Sequence, residues 1–261
     1  MNPFLRAALG GLFAISLLGA AGVAQAADPG VLRFGIDPTY PPMDSKAPDG
    51  SVQGFDVDLG NEICRRLNTR CKWVELEFSG MIPALAARKI DAILSAMAIT
   101  DKRARQIAFS SKLYQFKSRL VARSGSALGT DAASLAGKRI GVQSGTQFES
   151  YALANWAPHG VNVVQYKSQD DVFADLVAGR IDGALLGMVE ADQGFLRTPQ
   201  GKGFQLVGQP LSMGDHGVGI GLRKDDAPLK ASIDAAIASM LADGTYARIA
   251  HRYFSFDPRG D

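Results

Sequence analysis

The chain has 261 residues with 28 basic and 26 acidic side chains, and 46% of it is hydrophobic. A formal net charge of +2 leaves no basic excess of the kind nucleic-acid binding needs, and beyond the first 26 residues no uncharged apolar run is long enough to span a bilayer. Three scattered histidines, His159, His216 and His251, lack metal-ligand spacing, and there is no G-x-S-x-G elbow, so neither a metal centre nor a serine hydrolase is expected.

Residues 1–26 carry one charge, Arg6, then an apolar run from Ala7 to Val23, then Ala24-Gln25-Ala26. That order is a secretory signal with an A-x-A cleavage site; a membrane anchor fits less well, because glycines interrupt the run and a linker composition follows it. Cleavage after Ala26 leaves 235 residues, enough for one large domain or two lobes, in the periplasm.

Val31 to Ile36 alternates and is rich in branched residues, which predicts a first strand running into the stiff loop Asp37-Pro38-Thr39-Tyr40-Pro41-Pro42. From Phe55, the apolar residues Phe55, Leu59, Ile63 and Leu67 recur every fourth position and predict a helix with Asp58, Glu62 and Arg66 outside. Cys64 ends that helix and Cys71 opens the next strand, predicted over Lys72 to Glu77. Export to an oxidising compartment favours a Cys64–Cys71 disulfide over a metal or redox pair, with two buried free thiols as the alternative. So short a loop would stabilise the fold by roughly 2–3 kcal/mol on chain entropy.

The stretch Leu94 to Arg103 follows an apolar run starting at Ile90 and ends in Thr100 and Asp101, residue types that cap a helix with Arg103 in its first turn. At the carboxyl end of a buried strand, that junction would aim backbone N–H groups and a permanent planar cation into a cleft, which suits a carboxylate. The sequence then repeats itself. Ala87-Arg-Lys-Ile-Asp91-Ala-Ile-Leu-Ser-Ala-Met97 is echoed by Val177-Ala-Gly-Arg-Ile-Asp182-Gly-Ala-Leu-Leu-Gly-Met188, each copy after a strand and an amphipathic helix. Two lobes of the same βαβ logic facing one cleft are expected.

The second lobe is predicted to open with a strand from Phe116 to Ala122 and to contain further strands at Arg139 to Gln143, Val161 to Tyr166 and Asp182 to Leu186. Gln143-Ser-Gly-Thr-Gln147 leads into a helix over Phe148 to Ala154, which reads as an anion site at a helix N-terminus or as a plain β-to-α turn. A strand over Gly217 to Leu222 and two helices, Leu229 to Leu241 and Tyr246 to Tyr253, return the chain to the first lobe. Two crossings describe a hinge.

Seven ordered motifs over the whole mature chain carry a resemblance. They are Asp37-Pro-Thr-Tyr40-Pro-Pro, Gly54-Phe-Asp-Val-Asp-Leu59, the C-x6-C pair, Lys89-Ile-Asp-Ala-Ile93, Ile99-Thr-x-x-Arg103 with Phe109-Ser110, Gly141-Val-Gln-Ser-Gly-Thr146 and Asp243-Gly-Thr-Tyr246. Together they resemble the periplasmic polar amino-acid-binding proteins of ABC transporters (solute-binding protein family 3), above all the lysine/arginine/ornithine- and histidine-binding branch, which also carries the short disulfide loop. The resemblance implies an α/β, bilobal type II periplasmic-binding-protein fold. Lobe 1 would hold residues 30–115 and 212–261, and lobe 2 residues 116–211. It further implies a monomer without cofactor or metal that closes on an amino acid and docks on a membrane permease.

By the same resemblance, Arg103 would clamp the ligand carboxylate with N–H groups at Ala98 and at Thr146 or Gln147. Tyr40 and Phe78 would sandwich the ligand side chain, and Asp37 would meet its far end. Ser95, Ala96 and Gly187 complete the implied ligand-binding set. Three positions depart from the family pattern: Ala96 and Ala98 stand where polar groups are usual, and Gly187 stands where an aspartate usually meets the α-ammonium. Removing the partner of a buried ammonium costs on the order of 3–5 kcal/mol. Either Glu190 or Asp37 takes over, or the ligand is an N-substituted, opine-like amino acid or another small carboxylate. An exported enzyme similar to the cyclohexadienyl dehydratases is a further alternative; its candidate acid, Glu190, is expected on a solvated helix face.

Overall fold

The computed structural model describes residues 30–260, so the signal segment expected at 1–26 lies outside the described residues. In chain order the strands are β1 (Val31–Ile36), β2 (Ser45–Lys46), β3 (Val52–Gln53), β4 (Arg70–Glu75), β5 (Ala92–Ile93), β6 (Ala108–Phe109), β7 (Ser118–Arg123), β8 (Arg139–Gln143), β9 (Asn162–Tyr166), β10 (Gly183–Gly187), β11 (Phe204–Leu211) and β12 (Gly221–Leu222). They build two five-stranded sheets and a small β2–β3 hairpin.

In the first sheet, β1 lies between β4 and β5, parallel to both, and β12 and β6 extend it antiparallel beyond β5. In the second, β8 lies between β9 and β10, parallel to both, and β7 and β11 extend it antiparallel beyond β10. The chain passes from one sheet to the other after β6 and returns after β11, giving a bilobal fold with two crossings. Each sheet has its own core, one around Phe34, Phe55, Leu59 and Ile237, the other around Leu120, Trp156, Phe173 and Leu185.

Local chemistry explains the elements. The helix Phe55–Arg66 buries Phe55, Leu59 and Ile63 completely, as its period demands. Its last turn is tied to β4 by the Cys64–Cys71 disulfide, with Cα atoms 5.7 Å apart. The strand after the disulfide spans Arg70–Glu75 and not Lys72 to Glu77, because its partner β1 ends at Ile36. The strand expected from Phe116 starts at Ser118, opposite the end of β10 at Gly187. The strand expected over Gly217 to Leu222 shortens to β12, because Val218 instead bridges singly to Ala98 and Tyr114 where the chain crosses between lobes.

After β10 the chain winds through Glu190–Leu196 as a π-helical segment. This segment packs against the loop of the other lobe at Gly194, where a Cβ would lie 2.5 Å from the Pro41 carbonyl oxygen. Only glycine permits that approach.

Candidate functional site

The first copy of the repeat delivers β5 to the cleft, and each residue after it is held by a specific bond. Ser95 Oγ accepts from the Asp37 N–H at 2.9 Å and donates to Asp44 Oδ2 at 3.1 Å. Ala96 takes φ of 48°, uncommon for a residue with a Cβ, and its N–H donates to Asp56 Oδ2 at 2.7 Å. Thr100 caps the short helix Asp101–Ala104, accepting from the Arg103 N–H at 3.3 Å, which fixes Arg103 in the first turn.

The Arg103 side chain is buried at the interface of the lobes. Nη1 donates to the Ala98 carbonyl at 2.7 Å, Nη2 donates across the cleft to the Gly145 carbonyl at 2.9 Å, and the guanidinium lies 5.3 Å from the centre of the Phe78 ring. Burial lowers its pKa to about 10, partly offset by Asp215, so it remains a cation at neutral pH. Both carbonyls are acceptors that a carboxylate could replace with stronger, charge-assisted bonds.

Asp37 also bonds across the cleft. Its carboxyl is 5% exposed and accepts from Thr39 Oγ1 at 2.9 Å, from the Phe78 N–H at 3.2 Å and across the cleft from Gln143 Nε2 at 2.7 Å. Burial raises its pKa, and these hydrogen bonds pull the other way. On the facing lobe, the helix Gln147–Asn155 begins at Thr146, whose Oγ1 accepts from the Glu149 N–H at 3.2 Å while Glu149 Oε2 accepts from the Gly145 N–H at 2.8 Å. First-turn N–H groups such as that of Gln147 have no intrahelical acceptor. The helix expected from Phe148 therefore starts one residue earlier, at a capped turn next to the cleft.

Two small hollows lie between the lobes, of about 20 and 30 Å³. The first is lined by Asp37, Phe78, Ser95, Gln143 and Thr146, the second by Ala98, Tyr114, Phe116, Gly187, Glu190 and Asp215, and Tyr40, Ala96, Gln147 and Phe148 form walls of both. Nine of the ten expected ligand residues thus line one or other hollow, and Arg103 reaches their border through Ala98 and Gly145. Tyr40 joins the lobes as well, its hydroxyl accepting from the Gly187 N–H at 3.0 Å.

Glu190 corrects an expectation. Read as a residue on a solvated helix face, it is instead 4% exposed, and burial, with repulsion from Asp56, pushes its carboxyl up to about 7. Two further acids were not singled out from the sequence. Asp44 and Asp56 are fully buried behind Ser95 and Ala96; burial raises Asp44 well above the carboxylate range and Asp56 to about 7. Asp56 had a faint signal, since it follows the core residue Phe55 in the first helical turn; Asp44 had none. One buried guanidinium and four buried carboxyls, each shifted toward its protonated form by burial, thus lie in or directly behind the cleft.

The model for bacterial extracellular solute-binding proteins, family 3, matches residues 32–256. The chain is 47% identical to the lysine/arginine/ornithine-binding periplasmic protein of Escherichia coli over 257 residues, covering 96% of this chain and 98% of that one. It is 46% identical to the L-arginine-binding protein of Pseudomonas aeruginosa, covering 98% of each. The histidine-binding periplasmic protein of Salmonella typhimurium is 46% identical, covering 92% of this chain and 94% of that one. Among solved structures, an ancestral arginine-binding protein bound to arginine superposes with a TM-score of 0.82 at 30% identity, covering 87% of this chain and 99% of that chain. With two sheets of matched topology, a cleft between them and relatives of this likeness along its length, the chain belongs to the family 3 bacterial extracellular solute-binding proteins and is a periplasmic protein.

Proposed function

We propose that this protein is the receptor of an amino-acid ABC importer: it captures one amino acid with a cationic or polar side chain, closes by hinge motion and delivers it to a membrane permease. In this reading lobe 1 comprises residues 30–115 and 212–261, and lobe 2 residues 116–211. The observation that carries it is that buried Arg103 and buried Asp37, each bonded across the cleft, meet at Phe78, with Tyr40 on the same wall as Asp37 and Phe78. The ligand carboxylate replaces the carbonyls on Arg103 and takes N–H groups at Ala98 and at Thr146 or Gln147. The side chain runs between the rings toward Asp37. Relatives named for lysine, arginine, ornithine and histidine fit that arrangement.

The hollows are far smaller than the several hundred Å³ of ordinary small-molecule sites. A ligand therefore enters with the lobes apart, and its contacts take over from the cross-cleft bonds Asp37–Gln143, Tyr40–Gly187 and Arg103–Gly145. A second reading, an N-substituted opine-like amino acid, is favoured by the small residues Ala96, Ala98 and Gly187 around the second hollow. A catalytic reading rests on Glu190 alone, while the relatives are binding proteins.

Native mass spectrometry and calorimetry with L-arginine, L-lysine, L-ornithine, L-histidine, L-glutamine and an N-carboxyalkyl arginine test this. At least one should bind one to one without product, and Arg103→Ala should weaken it about 1,000-fold, the loss of two charge-assisted bonds. Undiminished binding by Arg103→Ala, or turnover of prephenate or arogenate, would overturn the proposal.

A further inference from the structure

The acid expected at position 187 is missing, and the structure brings another to the same place. A Cβ built on Gly187 would lie 2.0 Å from Glu190 Oε2 and 3.3 Å from the Tyr40 hydroxyl. The Glu190 carboxyl therefore fills the space where a side chain at 187 would begin. It lines the second hollow with Ala96, Ala98 and Gly187, and Oε2 has no hydrogen-bond partner although the residue is 4% exposed. A buried carboxylate oxygen without a donor is costly, so the arrangement is completed by a donor that arrives with the ligand.

The other acids are committed elsewhere. Asp37 already accepts from Thr39, Phe78 and Gln143 on the wall of the first hollow. Asp44 and Asp56 sit behind the cleft wall on Ser95 and Ala96; each also keeps a buried oxygen without a partner, but neither lines a hollow. Asp215 accepts from the Gly217 N–H and adds its field to Arg103, the carboxylate end. Glu190 alone among them combines a place on the second hollow, full burial and an unpartnered oxygen.

We infer that Glu190 is the residue that binds the ligand's amino group, its carboxyl reaching from three positions downstream into the space a side chain at Gly187 would take. The inference rests on the amino-acid-receptor reading. It also accounts for the glycine: any side chain at 187 would expel the carboxyl from its place. Charge then balances for a cationic amino acid, whose carboxylate meets Arg103 while its two cations meet Glu190 and Asp37.

Calorimetry on the full mature chain with two probes that differ only in the amine, L-arginine and 5-guanidinopentanoic acid, tests the assignment. The unaltered protein should prefer L-arginine by about 100-fold or more, the cost of leaving one buried charge unpaired. Glu190→Gln should reduce that preference to a few-fold by weakening L-arginine alone, and Gly187→Asp combined with Glu190→Ala should restore it. Proton release on L-arginine binding at pH 7, measured in buffers of different ionisation enthalpy, should disappear in Glu190→Gln. Equal weakening of both probes would make the role merely structural and overturn the assignment, as would an intact preference in Glu190→Gln. If the unaltered protein binds the two probes equally, only this assignment falls; if it binds none of L-arginine, L-lysine and L-histidine, the receptor reading falls and takes the assignment with it.

Discussion

The two lobes are one scaffold used twice, and they differ where they meet the ligand. In lobe 1 the repeat's Asp91 accepts from Arg33 on β1 through N, Nε and Nη2, at 3.0, 2.9 and 2.7 Å. In lobe 2 Asp182 accepts from Arg139 on β8 through the same three atoms, at 2.8, 3.2 and 3.1 Å. The flanking backbone bonds match too, Asp91 N to Arg33 O and Asp182 N to Arg139 O, both 2.8 Å. Beyond these staples the copies part. After β5 come Ser95, Ala96 and a capped Arg103; β10 ends on Gly187 and is followed by a π-helical segment that begins at Glu190. The repeat therefore specifies where two strand ends stop, and the few residues after each stop carry the chemistry.

The largest effect that would sharpen this contrast is one of pH. Asp91 and Asp182 are held below the carboxylate range, Asp182 by Arg139 and Asp91 by Arg33 against the upward pull of burial, so their contribution is present above about pH 4 and lost as pH falls through the lowered values. The cleft acids behave oppositely. Glu190, facing Asp44, Asp56, Tyr40, Tyr114 and Asp215, binds a proton in the folded state between its ordinary value and about 7 and loses it when unfolded, so stability falls as pH rises through that window. For Glu190 alone the drop is on the order of 3 kcal/mol. Ligand-stripped protein should melt progressively lower from pH 5 to pH 8, and Glu190→Gln should flatten that slope; an unchanged slope would mean the carboxyl stays solvated.

A smaller effect separates the staples themselves. The Arg33 and Asp91 side chains are 21% and 11% exposed, against 43% and 33% for Arg139 and Asp182. Charge-assisted bonds weaken with solvent access, so Asp91→Asn should destabilise by about 2 kcal/mol and Asp182→Asn by about 1 kcal/mol or less. Urea unfolding at pH 7 measures both, and equal losses would show that geometry and not exposure sets their worth.

Much of this was legible in the sequence where a local rule acts alone. Thr100 caps, Arg103 follows three residues later, Cys64 and Cys71 pair, and the repeat announces two strand ends. Glu190 was misread for a definite reason. A lone carboxyl on a helix is ordinarily solvated, and what takes this one inside is the turn after β10, which folds it back into the space that Gly187 leaves empty. Asp44 and Asp56 were missed because a carboxyl is ordinarily outside, and what holds these two inside are a serine hydroxyl and a backbone N–H that arrive from residues 95 and 96, far along the chain.

Gly194 lies on the seam between the lobes, where the absence of a side chain lets the segment after β10 close onto Pro41. In the proposed receptor, release of a bound ligand passes through reopening of the cleft. A methyl group at this contact acts as a doorstop: it holds the lobes short of full closure and raises the escape rate while entry, which begins from the open form, proceeds as before. Gly194→Ala should therefore shorten the residence time of bound L-arginine in stopped-flow displacement with little change in its association rate; an equal fall in both would place the effect on folding instead. In the proposed receptor, tight storage and quick hand-over are opposing demands, and this test asks whether a position with no side chain tips the balance between them.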